Sequence, residues 1–328
     1  MTRYGYATAI REALREEMEL DPEVFLLGED IGKTNGSFGV TQGLYAQFGP
    51  ERVWDTPISE AAIAGAAVGA ALVGGRPVAE IMFGDFATLA MDQIVNQGAK
   101  IRYMTGGAMS APVVVRMVTG AKGATAAQHS QSLESWFVHA PGVKVYAPSN
   151  ARDAKGLMKT AIRDPDPVMF FEHKGLYETK VAAEFADSFD VEPIPAGVGR
   201  VLREGTDVTI VSYLKTVYFA LEAAEQLAAE GISCEVFDPR TLVPFDREGM
   251  GRSLARTGRL VIAHEAPLRG GFGAEIAAIA AQDFFGSLVA PIQRVGAKNT
   301  PIPYAPELEN DVVPGTADIV AAVRAALA

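Results

Sequence analysis

Residues 59–83 read SEAAIAGAAVGAALVGGRPVAEIMF, and this stretch decides the fold class. The small residues that follow Ser59 predict a helix to about residue 73, and the apolar run over 77–83 predicts a buried strand. Short apolar strands that alternate with helices are typical of a parallel sheet covered on both faces. The stretch therefore predicts an α/β fold.

The same alternation continues on both sides of this stretch. Before the middle of the chain, the pattern predicts strands over 24–27 and 112–118 and a helix over 85–104. After it, the pattern predicts strands over 208–211, 232–237 and 260–263 and helices over 217–229, 274–285 and 319–327. We therefore predict two α/β domains, over 1–180 and 196–328, with a linker over 181–195.

Composition excludes several classes of protein. The 328 residues carry 29 Lys and Arg against 40 Asp and Glu, a formal net charge of −11, so the chain lacks the basic surface of a nucleic-acid binder. The single cysteine, Cys234, excludes an internal disulfide framework and a cysteine zinc cluster. With no signal segment and no apolar run long enough to span a bilayer, we expect a soluble cytoplasmic protein with no membrane partner.

Familiar motifs of catalysis are missing or incomplete. Gly28 and Gly32 are separated by three residues, whereas a phosphate loop needs four. The glycine-rich stretch 270–273 lacks the last glycine of a dinucleotide fingerprint, and no Gly-x-Ser-x-Gly elbow occurs. The four histidines include no pair at the helical spacing of metal ligands. The chemistry is therefore expected to come from a bound cofactor.

Glu60 is the first candidate catalytic residue. It stands at the predicted start of the Ala/Gly helix, where the helix dipole stabilises a carboxylate. An apolar pocket would instead favour the neutral acid, which suits proton exchange. The residues alone leave both interpretations open.

Three segments together carry a family resemblance: Asp55–Glu60 (DTPISE), residues 128–131 (QHSQ) and residues 264–273 (HEAPLRGGFG). In this order and spacing the chain resembles the beta subunits of thiamin-diphosphate-dependent 2-oxo acid dehydrogenases, the decarboxylating components of the pyruvate, branched-chain and acetoin dehydrogenase complexes. The resemblance implies a transketolase-like pyrimidine-binding domain with a parallel sheet, followed by a transketolase C-terminal α/β domain.

The resemblance also implies roles for four residues. Glu60 would be the glutamate that activates thiamin by exchanging a proton with its pyrimidine ring, and Phe86 the aromatic side chain that packs against that ring. Glu29 would relay protons between paired active sites. His129, after a glycine-rich loop, would face the substrate and the incoming lipoyl group; without the family, each of the four also fits an ordinary structural or solvated residue.

A structural potassium ion is implied at a second place. The family segment that encloses it matches residues 161–166, so that its ligands would be Ala161, Ile162, Asp164 and Asp166, with a carbonyl from Val113. Hard cations prefer oxygen ligands of this kind. In the family that the chain resembles, asparagine is commoner than aspartate at the position of Asp166.

Half of a cofactor site is missing from the sequence. Relatives that bind the whole cofactor carry Gly-Asp-Gly and a later pair of asparagines, which hold magnesium and the diphosphate. Here Gly84-Asp85 continues with Phe86, and no Asn-Asn pair occurs. The resemblance therefore implies an alpha subunit that holds magnesium, a tetramer of two alpha and two beta chains, and activity only in that assembly.

The implied enzyme is an oxidoreductase that decarboxylates a 2-oxo acid, pyruvate or a branched-chain acid, and acylates the lipoyl domain of a dihydrolipoyl acyltransferase core. Two related alternatives are an acetoin dehydrogenase beta subunit, which cleaves a C–C bond, and a split transketolase subunit. A third, from a different class, is a scaffold without catalytic function.

Overall fold

The computed structural model describes residues 5–121, 123–177 and 190–328. The chain forms two compact units: unit 1 comprises Met1–Thr119 and Trp136–Ala196, and unit 2 comprises Gly120–Ser135 and Gly197–Ala328. The predicted first domain includes residues 120–135, which the structure groups with unit 2. Most of the predicted linker, residues 181–189, lies outside the described residues.

Unit 1 alternates helices and strands from its start. Its helices are α1 (Tyr6–Leu20), α2 (Leu44–Phe48), α3 (Glu60–Leu72), α4 (Ala99–Met104) and α6 (Ala151–Arg163), and α5 (Glu134–Val138) begins at the end of the 120–135 segment. Its strands are β1 (Val24–Gly28), β2 (Val53–Asp55), β3 (Arg76–Ile81), β4 (Val114–Thr119), β5 (Lys144–Tyr146) and β6 (Val168–His173).

These strands form a parallel sheet in the order β5-β6-β4-β3-β1-β2. The central strands are buried along their whole length, which explains their continuous apolar runs. Helix α1 packs against α6, and α3 packs against β3. Because β2, β1 and β3 are adjacent and parallel, their carboxyl ends lie at the same edge of the sheet.

The helix predicted over 85–104 is divided into three parts. A 3₁₀ helix covers Gly84–Ala90, a π-helix covers Asp92–Gly98, and α4 follows. The prediction was wrong about helix type because apolar spacing does not distinguish i+3, i+4 and i+5 hydrogen bonding over single turns. The 3₁₀ helix and the π-helix both pack against α3.

Unit 2 contains the second alternation. Its helices are α7 (Thr216–Ala228), α8 (Arg247–Thr257), α9 (Gly273–Asp283), α10 (Pro306–Val312) and α11 (Thr316–Leu327). Its strands are β7 (Arg200–Arg203), β8 (Val208–Ser212), β9 (Cys234–Asp238), β10 (Thr241–Val243), β11 (Leu260–Pro267) and β12 (Gln293–Ala297).

A five-stranded sheet in the order β12-β11-β8-β9-β7 forms the centre of unit 2. Its strands are parallel except β7, which runs antiparallel to β9 at one edge. Helices α7 and α11 pack on one another and on the sheet, and their apolar residues form a buried core with β8, β9 and β11. In the part of the chain that the structure describes, no helix is long and apolar enough to cross a membrane.

Candidate active site

The candidate site of unit 1 lies where three neighbouring strands end. Glu29 follows β1, Asp55 ends β2, and Phe83 follows β3 after one residue. Because β2, β1 and β3 are adjacent and parallel, their carboxyl ends meet at the same edge of the sheet. This edge is where ligands bind in open α/β sheets.

Glu60 begins α3 at this edge. Ser59 precedes it in an extended conformation and its side chain does not cap the helix. Glu60 is the acidic residue in the first turn of the helix. Glu60 is 8% exposed. Among residues 5–121, 123–177 and 190–328, none gives its carboxylate a hydrogen bond or an ion pair. A nearly buried carboxyl group with this environment is ready to bond a ligand.

Glu29 and Glu60 are brought together by the fold. Glu29 is half-buried at the end of β1. Burial raises the pKa of Glu29 above its usual value, and the charges of Asp30 and of Glu60 raise it further. A carboxyl group whose pKa is raised in this way holds a proton at higher pH than an ordinary glutamate, which suits proton transfer.

Asp55 fixes the loop that follows Glu29. Its carboxylate accepts the backbone N–H of Gly32 at 2.6 Å and that of Lys33 at 3.2 Å. A Cβ atom on Gly32 would lie 2.7 Å from Asp55 Oδ2, so a side chain at this position would displace the carboxylate. Asp55 lies in the segment 55–60, but no sequence signal marks this role.

Phe86 lies in the 3₁₀ helix that packs against α3. It is half-buried, and its backbone N–H donates to Phe83 O at 2.9 Å, which closes the turn. Gly84, at the start of the turn, could not carry a Cβ without approaching Val118 O to 3.1 Å. The structure therefore places Phe86 on an element that borders the helix of Glu60.

Two further polar atoms in this region were not predicted. Thr56 Oγ1 and Gln93 Oε1 are buried, and within the described part of the chain neither has a hydrogen-bond partner. Gln93 belongs to the π-helix, and its Cγ lies 3.4 Å from where a Cβ on Gly65 of α3 would be. Buried polar groups normally have partners, so both can bind a ligand. Thr56 lies in the quoted segment 55–60, whereas no sequence signal marks Gln93.

His129 belongs to unit 2, in the segment Gly120–Ser135. Its side chain is half-buried, and Thr125 Oγ1 donates to its carbonyl oxygen at 3.0 Å. Glu60, Glu29 and Phe86 all belong to unit 1.

Four of the predicted cation ligands lie in the last turn of α6 or just after it, and Val113 lies just before β4. The carbonyl of Val113 accepts a backbone N–H from the start of β6 at 2.9 Å, and that of Ile162 accepts Arg76 Nη1, also at 2.9 Å. The carbonyl of Ala161 accepts the N–H of Asp164 at 3.3 Å. Each carbonyl keeps a second lone pair.

The two carboxylates of this cluster already have cationic partners. Lys144 Nζ lies 2.6 Å from both oxygens of Asp164 and 3.5 Å from Asp166 Oδ2. Arg102 Nη1 lies 3.1 Å from Asp166 Oδ1. Within the described ranges, no group of three or more His, Cys, Asp or Glu side chains could hold a metal ion. An ion at this cluster would have to share Asp164 with Lys144.

Two domain families match the chain, one after the other. Residues 3–180 match the model of the transketolase pyrimidine-binding domain, and residues 197–319 match that of the transketolase C-terminal domain. A solved structure titled "Split gene transketolase, inactive beta4 tetramer" superposes with a TM-score of 0.81 at 29% identity and covers 99% of both chains. These matches confirm the predicted two-domain α/β fold.

Three curated relatives align over nearly the whole chain. The pyruvate dehydrogenase E1 component subunit beta of Rickettsia bellii is 47% identical, over 96% of each chain. The 2-oxoisovalerate dehydrogenase subunit beta of Bacillus subtilis is 44% identical, over 99% of this chain and 98% of its own. The acetoin:2,6-dichlorophenolindophenol oxidoreductase subunit beta of Cupriavidus necator is 48% identical, over 96% and 95%. The predicted family is confirmed, and the chain belongs to the beta subunits of the 2-oxo acid dehydrogenases, built from transketolase pyrimidine-binding and C-terminal domains.

Proposed function

We propose that this chain, together with an alpha subunit, decarboxylates a 2-oxo acid and transfers the acyl group to a lipoyl group of an acyltransferase core. The observation that carries the proposal is the nearly buried Glu60 at the carboxyl edge of a pyrimidine-binding domain, with no hydrogen-bond partner among the described residues. This oxidoreductase activity on 2-oxo acids is consistent with the names of the relatives.

The residues present fit the aminopyrimidine end of thiamin diphosphate. Thiamin diphosphate, when bound, supplies a nucleophilic carbon and an electron sink for decarboxylation. The carboxyl of Glu60, the hydroxyl of Thr56 and the amide oxygen of Gln93 offer acceptors and a donor to a ring that carries both kinds of group. Phe86 would pack against the ring face.

Glu60 would hold and exchange a proton at its carboxyl oxygen. A glutamine at this position could accept or donate a hydrogen bond but could not exchange a proton, so the residue type matters. Glu29, whose raised pKa reflects burial and its neighbours' charges, would receive or supply protons beside it.

His129 would act on the substrate side. An imidazole can neutralise the carboxylate of a 2-oxo acid or donate a proton during transfer to the lipoyl group.

An alpha subunit would complete the site. The chain lacks both the Gly-Asp-Gly motif and the asparagine pair that hold magnesium and the diphosphate in relatives that bind the whole cofactor. The relatives are themselves named as beta subunits, and the similar split transketolase is titled as an inactive assembly of beta chains. We expect two alpha and two beta chains, with magnesium held by alpha.

The cation cluster would have a structural role. Its carbonyl and carboxylate oxygens suit a hard cation such as potassium, which would share Asp164 with the ammonium group of Lys144.

Isothermal titration tests the shared site. Thiamin diphosphate with magnesium is titrated into the chain alone, the alpha subunit alone and the reconstituted mixture. We expect tight binding in the mixture only. Equal binding by alpha alone would favour the scaffold alternative and contradict the proposal.

Acetoin cleavage is the second candidate function, because the acetoin relative is 48% identical and the 2-oxo acid relatives are 47% and 44% identical. Turnover of pyruvate, 2-oxoisovalerate and acetoin by the reconstituted enzyme separates these substrates. A kcat/KM for acetoin above those for both 2-oxo acids would assign the second function, and activity on sugar phosphates would assign a split transketolase.

A further inference from the structure

The loop that carries His129 has a strained backbone. Within Gly120–Ser135, of which the structure describes all but residue 122, Ala124 and Ala126 have φ values of 54° and 60°. Residues other than glycine rarely adopt this left-handed conformation, and they keep it only where surrounding contacts fix it. The loop therefore needs bonds that hold it in place.

Two carboxylates of unit 2 supply such bonds to the backbone of the loop. Glu309 Oε2 accepts the N–H of the strained Ala124 at 3.0 Å, and Glu265 Oε1 accepts the N–H of Ala121 at 2.5 Å. Glu309 lies in α10 and is 6% exposed. Hydrogen bonds to ionised acceptors are roughly twice as strong as neutral ones, and burial protects this one from water.

A third contact holds the end of the loop. Tyr213 OH donates to Glu134 Oε1 at 2.8 Å, and both side chains are buried. Burial and then the charge of Glu134 raise the pKa of Tyr213, so its hydroxyl stays protonated and remains a donor. Inside the loop, Gly120 N–H donates to Gln131 O at 3.3 Å and closes its base.

We infer that Glu309, with Glu265, is a positioning residue that fixes the backbone around His129 for acyl transfer to the lipoyl group. The inference rests on the proposed function of His129 as the proton donor during transfer to the lipoyl group. Both carboxylates bond to backbone amides, so they set the path of the chain independently of the loop's side chains. A role of this kind predicts that loosening the loop slows the step that needs His129 more than the decarboxylation step.

The test uses the enzyme reconstituted with its alpha subunit and four forms of the chain: wild type, Glu309→Ala, Glu309→Gln and Glu307→Ala. Glu307 is an exposed residue of the same helix and provides the matched control. Hydrogen exchange of the peptide that covers the loop is measured by mass spectrometry. Turnover is measured with a lipoyl domain and, separately, with a small dye acceptor such as dichlorophenolindophenol.

We expect the backbone amides of the loop, and no others, to exchange hydrogen faster in Glu309→Ala than in wild type. We also expect kcat/KM for the lipoyl domain to fall about tenfold to a hundredfold, while dye-linked turnover stays near wild type. Glu309→Gln keeps an oxygen acceptor without its charge, so both effects should be smaller but present. Glu307→Ala should match wild type. If Glu309→Ala does not assemble, the intermediate effect of Glu309→Gln decides the question.

The inference is contradicted if loop exchange in Glu309→Gln and Glu309→Ala equals that of wild type, or if lipoyl-dependent and dye-linked turnover fall together. If instead wild type turns over no 2-oxo acid and no acetoin, the proposed function fails, and the exchange data still decide whether Glu309 fixes the loop.

Discussion

Glu29 and Glu60 interact electrostatically at the carboxyl edge of the unit 1 sheet. Burial raises the pKa of Glu29, Asp30 adds to the rise, and the charge of Glu60 adds further. The two glutamates come from a strand end and a helix start that are 31 positions apart in the chain. Their pairing gives the site two carboxyl groups with different environments, which is a common arrangement for proton transfer.

Because the pKa of Glu29 is raised, we expect Glu29→Gln to change the stability of the protein in a pH-dependent way. Folding raises the pKa of Glu29, so the protonated side chain stabilises the folded protein. This contribution to stability is fully present below the unfolded pKa of about 4.3 and is lost as pH rises through the folded pKa. Glutamine cannot ionise and avoids this loss. We expect Glu29→Gln to raise the Tm above that of wild type near pH 7.5, and the difference to shrink as pH falls towards 5. A lower Tm for the variant near pH 7.5, with no dependence on pH, would contradict the assignment.

We expect the substitution Arg116→Met to destabilise unit 1 strongly. Arg116 lies on the central strand β4, donates to both oxygens of Glu172 at 2.6 and 2.8 Å, and also donates to Glu80. All three side chains are buried. Arg116→Met would leave two buried carboxylates without their cation, so we expect a loss of roughly 3–5 kcal/mol in the free energy of unfolding.

Urea denaturation measures this effect, with Arg324→Met as the control. Arg324 forms an exposed pair with Glu230 at 2.7 Å, and loss of such a pair costs about 0.2–1 kcal/mol. Equal effects of the two substitutions would show that the buried network does not stabilise the fold.

Gly273, in the glycine-rich stretch 270–273, packs directly against the imidazole of His264. A Cβ atom on Gly273 would lie 2.5 Å from His264 Nε2, and His264 is fully buried. We expect Gly273→Ala to displace the imidazole and to cost roughly 1–3 kcal/mol. Gly286→Ala is the control, since a Cβ there would meet nothing within 4 Å. Urea midpoints that agree for the two variants would contradict the packing role.

Local patterns predicted much of the fold. The run over 24–27 became β1, the small residues after Ser59 became α3, and the second alternation became β8, α7, β9 and β11. Strands β5 and β6 and helix α6 were not predicted. Helix α6 is amphipathic, but Lys155 and Lys159 are buried and form ion pairs with Glu16 of α1, which no local pattern shows.

The residues of the candidate site come from the family resemblance, and their roles stay predictions. Glu60, Glu29 and Phe86 were named from a family resemblance, whereas the roles of Asp55 and Glu309 depend on bonds to residues 23 and 185 positions away. Contacts at such separations depend on the assembled sheet and leave no periodic signal along the chain. The same reason explains why residues 120–135 were not predicted to pack with unit 2.

The proposed proton exchange by Glu60 is tested most directly by the turnover of Glu60→Gln in the reconstituted enzyme, with Glu51→Gln at an exposed position as the control. We expect Glu60→Gln to keep the Tm and the thiamin diphosphate affinity of wild type but to lose about 10²- to 10⁴-fold in kcat, because glutamine cannot exchange a proton. Glu51→Gln should match wild type in all three. A Glu60→Gln enzyme with a kcat near that of wild type would show that Glu60 does not exchange the proton.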